Sequence, residues 1–131
     1  MFTGIGTDIL SVDRMRRCLD SPSPTFMRRT FTESERREGE SRPDPGVYYA
    51  KLFAAKEAVF KCFGISADSL GSWKNIEIVD SDERQPQVSL DGSMAAIAAE
   101  RGVGRILLSL SHDSEYVIAV AALVGGEEHG G

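Results

Sequence analysis

Residues 46–63, GVYYAKLFAAKEAVFKCF, constrain this 131-residue chain more than any other stretch. Only Lys51, Lys56, Glu57 and Lys61 interrupt its apolar run. Asp44 and Pro45 suit a helix start, and Gly64 suits a helix stop. The spacing therefore predicts a helix over 46–63. A helix that is apolar on nearly all sides has to be covered on nearly all sides. The rest of the chain must supply a sheet for it, or a partner must.

The flanking sequence reads as short strands and helices. FTGIGTDI at 2–9 reads as a strand, with Gly4 and Gly6 marking a bulge or a close backbone approach. Ser11 suits the cap of a helix over 12–19, which the SPSP at 21–24 ends. Thr32-Glu-Ser-Glu35 fits a capping box, so a helix opens at Thr32. Residues 39–46 and 65–72 read as loops. Strands are predicted over 75–80 and 86–90, joined by the polar turn 81–84, and over 105–111 and 116–124. A helix over 93–101 ends at Gly102. Residues 1–125 form one domain, and 126–131 read as a flexible tail.

Composition narrows the function. Hydrophobic residues at 41% and charged residues at 27% suit a globular chain rather than a disordered one. No apolar run is long enough to span a membrane. The start, MFTGIGTDIL, lacks the basic and apolar regions of a secretory signal. Two cysteines, Cys18 and Cys62, cannot build a disulfide framework or a four-ligand zinc site. Together these predict a reduced, cytoplasmic protein. A net charge of −5 argues against general nucleic-acid binding. Yet eight of the 11 arginines fall between Arg14 and Arg42. That clustering suits a localised anionic partner. The interleaved acids Asp13, Asp20, Glu33, Glu35 and Glu38 suit a solvated helix face equally well.

A few residues can carry chemistry. Asp8 stands in an otherwise apolar strand, and Glu57 interrupts the apolar helix, where an unpaired carboxylate is costly. Lys61 lies one turn after Glu57. The pair reads either as a helix salt bridge or as a cation ligand beside a phosphate-binding lysine; two carboxylates plus phosphate oxygens commonly hold Mg²⁺. His112 ends the strand Ser109-Leu-Ser111-His112, where it can bind phosphate, shuttle a proton, or simply occupy a turn. No phosphate-loop, dinucleotide or nucleophile-elbow motif is present.

Taken in order, Gly4-Ile-Gly-Thr-Asp8-Ile-Leu, Arg14, Phe31-Thr-Glu-Ser-Glu35, Phe53-Ala-Ala-Lys56-Glu57-Ala, Lys61, Trp73-Lys-Asn-Ile-Glu77-Ile and Ser109-Leu-Ser-His112 resemble one family. It is the holo-[acyl-carrier-protein] synthases, the short class of 4′-phosphopantetheinyl transferases. The resemblance runs from Gly4 to about Val124. It implies an α+β fold of the 4′-phosphopantetheinyl transferase type, an antiparallel sheet with the long central helix packed on it. It implies transfer of phosphopantetheine from coenzyme A to a serine of an apo acyl carrier protein, releasing adenosine 3′,5′-bisphosphate. By resemblance Asp8 and Glu57 bind Mg²⁺, and Lys61 completes the catalytic set. Lys56, Lys61, Gly64, Ser111 and His112 contact coenzyme A, with Lys56 alternatively structural. Arg14, Arg17 and Arg28 meet an acidic carrier protein. The proton acceptor is left open among Glu35, Asp8 and water.

The resemblance also implies a homotrimer with active sites between subunits, and exposed aromatics such as Tyr48, Tyr49 and Phe60 would be consistent with one. Three positions depart from the family pattern. Leu52 replaces an arginine, Ile65-Ser66 follow Gly64 in place of Thr-Gly, and Arg84-Gln85-Pro86 replaces Gly-x-Pro. A guanidinium missing at Leu52 predicts weaker dependence on the coenzyme A phosphates or a substitute cation such as Arg42, since Lys51 lies about 100° around the helix, and it predicts tighter coenzyme A binding in Leu52→Arg. The rival reading is a carrier-protein-binding module without transfer activity.

Overall fold

The computed structural model describes residues 1–81 and 83–126. The chain runs β1 (Phe2–Ser11), α1 (Val12–Leu19), α2 (Thr25–Thr30), α3 (Glu33–Ser41), α4 (Pro45–Phe63), α5 (Ala67–Leu70), a 3₁₀ turn (Trp73–Asn75), β2 (Ile76–Ser81), β3 (Arg84–Leu90), α6 (Gly92–Glu100), β4 (Val103–His112) and β5 (Tyr116–Gly125). Strands β1, β5 and β4 form one antiparallel sheet in that order, and β2 with β3 forms a separate antiparallel ribbon.

Local chemistry sets most boundaries. The Ser11 side chain accepts from the Arg14 amide and starts α1. Thr32 and Glu35 close the expected capping box at α3. The Asp44 carboxylate accepts from Val47, Pro45 occupies the first turn, and Gly64 ends α4 at φ 61°. The Arg101 guanidinium donates to the Phe63 carbonyl at 2.6 Å, satisfying a group the helix leaves open.

Three expectations change. Residues 39–41 continue α3 instead of looping, because Gly39 lies under the Tyr49 ring where a side chain would collide. A short α2 follows the SPSP segment, starting at Pro24 without a side-chain cap. The segment 65–72 contains the single turn α5. Of the expected tail at 126–131, Gly126 donates its amide to the Gly102 carbonyl at 2.9 Å, and 127–131 lie outside the described residues.

Helix α4 forms the centre of the core. Tyr48, Tyr49, Ala50, Leu52, Ala54, Ala55, Ala58 and Val59 are all buried on it. Tyr48 and Tyr49 are therefore interior residues rather than exposed aromatics. Val117, Ala119, Ala121 and Leu123 of β5 turn one face toward α4. Alternation then turns Tyr116, Ile118 and Val120 outward. Ile5, Ile9 and Leu107 join them, so the outer face of the sheet is exposed and largely apolar.

Candidate active site

Gly4 and Gly6 allow α4 to lie directly on β1. A Cβ at Gly4 would overlap the Cys62 carbonyl, and one at Gly6 would overlap the Ala58 carbonyl. This is the close backbone approach expected from the sequence, and it brings Asp8 against α4. Asp8 pairs in register with the buried Ala119, so its side chain shares the inner face. Its carboxylate is only 9% exposed.

Asp8 Oδ1 accepts from Lys61 Nζ at 3.0 Å, and Lys61 also donates to the Thr7 carbonyl at 3.1 Å. Asp8 Oδ2 is buried and has no donor as long as Glu57 is ionised. Glu57 is half-buried beside it. Burial first, then a hydrogen bond to Asp8 and the charge of that carboxylate, push the Glu57 carboxyl up to about 7; Lys61 and Arg14 pull it the other way. Two carboxylates this close favour a proton held between them unless a cation joins them. Lys61 thus pairs with Asp8 of β1, and the expected helix salt bridge between Glu57 and Lys61 does not form.

The orphaned Asp8 oxygen and the raised Glu57 carboxyl fit a hard divalent cation, since both donors are carboxylate oxygens. No third histidine, cysteine or carboxylate joins them among the described residues. A cation held there would take its remaining ligands from water and other oxygens.

The other expected residues divide. Gly64, in the left-handed conformation, sits exposed one turn beyond Lys61. Ser111 and His112 occupy opposite faces of β4: Ser111 pairs with the exposed Ile118, and His112 with the buried Val117. Strand β5 separates β4 from β1, so His112 stands about 9.6 Å across the sheet from β1. Its ring nitrogen Nδ1 lies 3.5 Å from the Asp113 carbonyl. One chain does not bring Ser111 or His112 to Asp8.

Lys56 does not reach a ligand. Its ammonium is fully buried, pairs with Glu35 Oε1 at 2.8 Å, and donates to the carbonyls of Trp73 and Ile76. Glu35 also accepts from the amides of Thr32 and Ile78, each at 2.8 Å. Both oxygens of this 2%-exposed residue are engaged, which removes Glu35 as a proton acceptor.

Leu52 is fully buried. An arginine there would bury a charge rather than grip a phosphate, so the expectation of tighter coenzyme A binding in Leu52→Arg does not stand. Both cations are engaged as well. Lys51 pairs with Asp80 at 2.8 Å. Arg42 bonds Glu38 at 3.0 Å and the Asp80 carbonyl, with its guanidinium over the Tyr48 ring.

The arginine-rich segment also separates into two sets. Arg16 bridges Asp13 and Asp44, and Arg37 pairs with Glu33. Arg14, Arg17, Arg28 and Arg29 are exposed, with no ion pair among the described residues. Sequence reasoning missed the role of Arg101 at the end of α4, since an arginine near a helix end carries no mark of the carbonyl it will reach.

Residues 4–121 match the family model described as the 4′-phosphopantetheinyl transferase superfamily. A holo-[acyl-carrier-protein] synthase of Caldanaerobacter subterraneus is 42% identical over 123 residues, covering 94% of this chain and 95% of the relative. Among solved structures, the Neisseria meningitidis holo-[acyl-carrier-protein] synthase superposes with a TM-score of 0.85 at 32% identity, covering 95% and 99% of the two chains. The Bacillus anthracis synthase, solved in complex with CoA (3′,5′-ADP), gives a TM-score of 0.77 at 29% identity, covering 96% and 99%.

Proposed function

The chain belongs to the 4′-phosphopantetheinyl transferase superfamily, and from that premise we propose that Asp8, Glu57 and Lys61 form the centre of its reaction. The chain transfers the phosphopantetheine arm of coenzyme A to an apo acyl carrier protein. A serine oxygen of the carrier bonds to the arm's phosphorus. The bond from that phosphorus to the bridging pyrophosphate oxygen breaks, and adenosine 3′,5′-bisphosphate leaves.

The carrying observation is the buried Asp8 Oδ2 without a donor, beside a Glu57 carboxyl raised to about 7. Asp8 and Glu57 would hold Mg²⁺, which keeps several positions for water and phosphate oxygens. When bound, it supplies charge neutralisation for the pyrophosphate. Lys61, half-exposed at the mouth of the site, stabilises the charge that grows on the departing phosphate. Gly64 leaves the exposed end of α4 open to the nucleotide. Asp8 or a water takes the serine proton.

The exposed Arg14, Arg17 and Arg28 support an acidic carrier protein, steering it to the site by charge. The exposed apolar face of the sheet supports a homotrimer. In such an assembly, Ser111 and His112 of one subunit meet coenzyme A at another subunit's centre. The two free cysteines, Cys18 and Cys62, support a reduced, cytoplasmic setting.

The intact carboxylate pair favours transfer over a binding module without activity. Incubating the protein with coenzyme A, Mg²⁺ and an apo carrier protein should add one phosphopantetheine mass per carrier and release an equal amount of adenosine 3′,5′-bisphosphate. Carrier binding without a mass gain would overturn the enzymatic reading.

A further inference from the structure

The half-buried rings of Phe26, Phe53, Trp73 and Phe60 form an edge-to-face ladder with centroids 5.7, 5.5 and 5.5 Å apart. It runs from α2 across α4 to the 3₁₀ turn. Its Phe60–Trp73 end floors an open groove of about 530 Å³ beside α5. Arg28, Arg29 and Lys74 rim the groove, all exposed and all without a carboxylate partner among the described residues. In a chain of net charge −5 this is a local reversal of sign. The Asp8 centre does not use the groove. Phe60 precedes Lys61 in sequence but points about 100° away around α4.

An aromatic floor with a cationic rim matches an acidic helix or turn that also bears an apolar side chain. Tryptophan and arginine are the residues that most often dominate such contacts. A small anion would satisfy the rim and leave the aromatic floor unused. We propose that this groove is a second docking element for the acyl carrier protein, separate from the α1 contacts of Arg14 and Arg17. The proposal rests on the transferase reading above. It assigns Arg29, Lys74 and Trp73 to partner recognition, with Arg28 joining the two surfaces.

Trp73 is the only tryptophan in the chain, so its emission reports on the groove directly. Titrating the wild-type protein with a tryptophan-free apo carrier protein should shift that emission. The shift should saturate at the carrier concentration that saturates transfer, and shrink as salt rises. Arg29→Glu with Lys74→Glu should raise the carrier KM about tenfold while leaving kcat and the coenzyme A KM near wild type. Arg29→Lys with Lys74→Arg should keep the wild-type KM.

An unchanged carrier KM in the charge-reversed variant would overturn the proposal and leave the transferase reading standing. So would a Trp73 shift produced by coenzyme A alone, because the groove would then belong to that substrate. Absence of transfer by the wild-type protein would count against the transferase reading instead, and the Trp73 titration with carrier protein would still decide the groove.

Discussion

At the scale of single residues, the structure turns on how buried charges find partners. Asp8 has one oxygen satisfied by Lys61 and one left open; Glu57 answers by holding its proton up to about pH 7. The sign of the resulting pH dependence follows. The Glu57 carboxyl ionises near 4.5 unfolded and near 7 folded, so its contribution to stability falls as pH rises between those values and stays low above 7. A divalent cation has to displace that proton. Mg²⁺ should therefore raise the melting temperature more at pH 8 than at pH 6, as scanning calorimetry would show; equal shifts would separate Glu57 from the metal. Leu52→Arg should act in the core instead, lowering stability by several kcal/mol with no gain in coenzyme A affinity. Denaturant melts and calorimetry with coenzyme A check the two halves. Lys56 shows why residue roles are hard to read from sequence. A lysine in an apolar helix looks the same whether it reaches a ligand or, as here, a buried glutamate and two carbonyls.

At the scale of elements, the contact of β1 with α4 positions the site. Gly6→Ala would drive a methyl group into the Ala58 carbonyl. It should cost about 1–3 kcal/mol and weaken the Mg²⁺ dependence of transfer, because α4 must lift away from Asp8. Thermal melts beside rates at several Mg²⁺ concentrations test this, and a variant with wild-type values of both would show that the contact does not position the site. Charge reversal on α1, Arg14→Glu with Arg17→Glu, should raise the carrier KM and spare the coenzyme A KM; steady-state kinetics at two salt concentrations separates the effects. The helices with clear caps at Ser11, Thr32 and Asp44 were legible in the sequence. Helix α2 was not, because it starts on a proline without a side-chain cap and is only six residues long. Asp8 and Glu57 were recognisable one by one. They stand 49 residues apart, and only the two glycines of β1, read as a close approach, hinted at what joins them.

At the scale of the whole molecule, the chain carries a site from which two expected residues stand apart. Asp8, Glu57, Lys61 and Gly64 gather on α4 and β1, while Ser111 and His112 lie across the sheet and on opposite faces of it. The exposed Ile5, Ile9, Leu107, Ile118 and Val120 offer a surface that the proposed trimer would bury. Light scattering should give a trimer of the 14.3 kDa chain, and a fully active single-chain species would refute that assembly. The homotrimer was expected from the resemblance alone, since an alternating strand reads the same whether its outer face meets solvent or another copy. The central claim is that Asp8 and Glu57 together make the divalent-cation centre of transfer. Its most direct test is the rate of phosphopantetheine transfer against Mg²⁺ concentration for wild type, Asp8→Asn and Glu57→Gln, each shown to be folded by circular dichroism. Wild type should show a saturable Mg²⁺ dependence, and both variants a loss of rate that at best partly recovers at high Mg²⁺. Wild-type rates in either variant at limiting Mg²⁺ would contradict it.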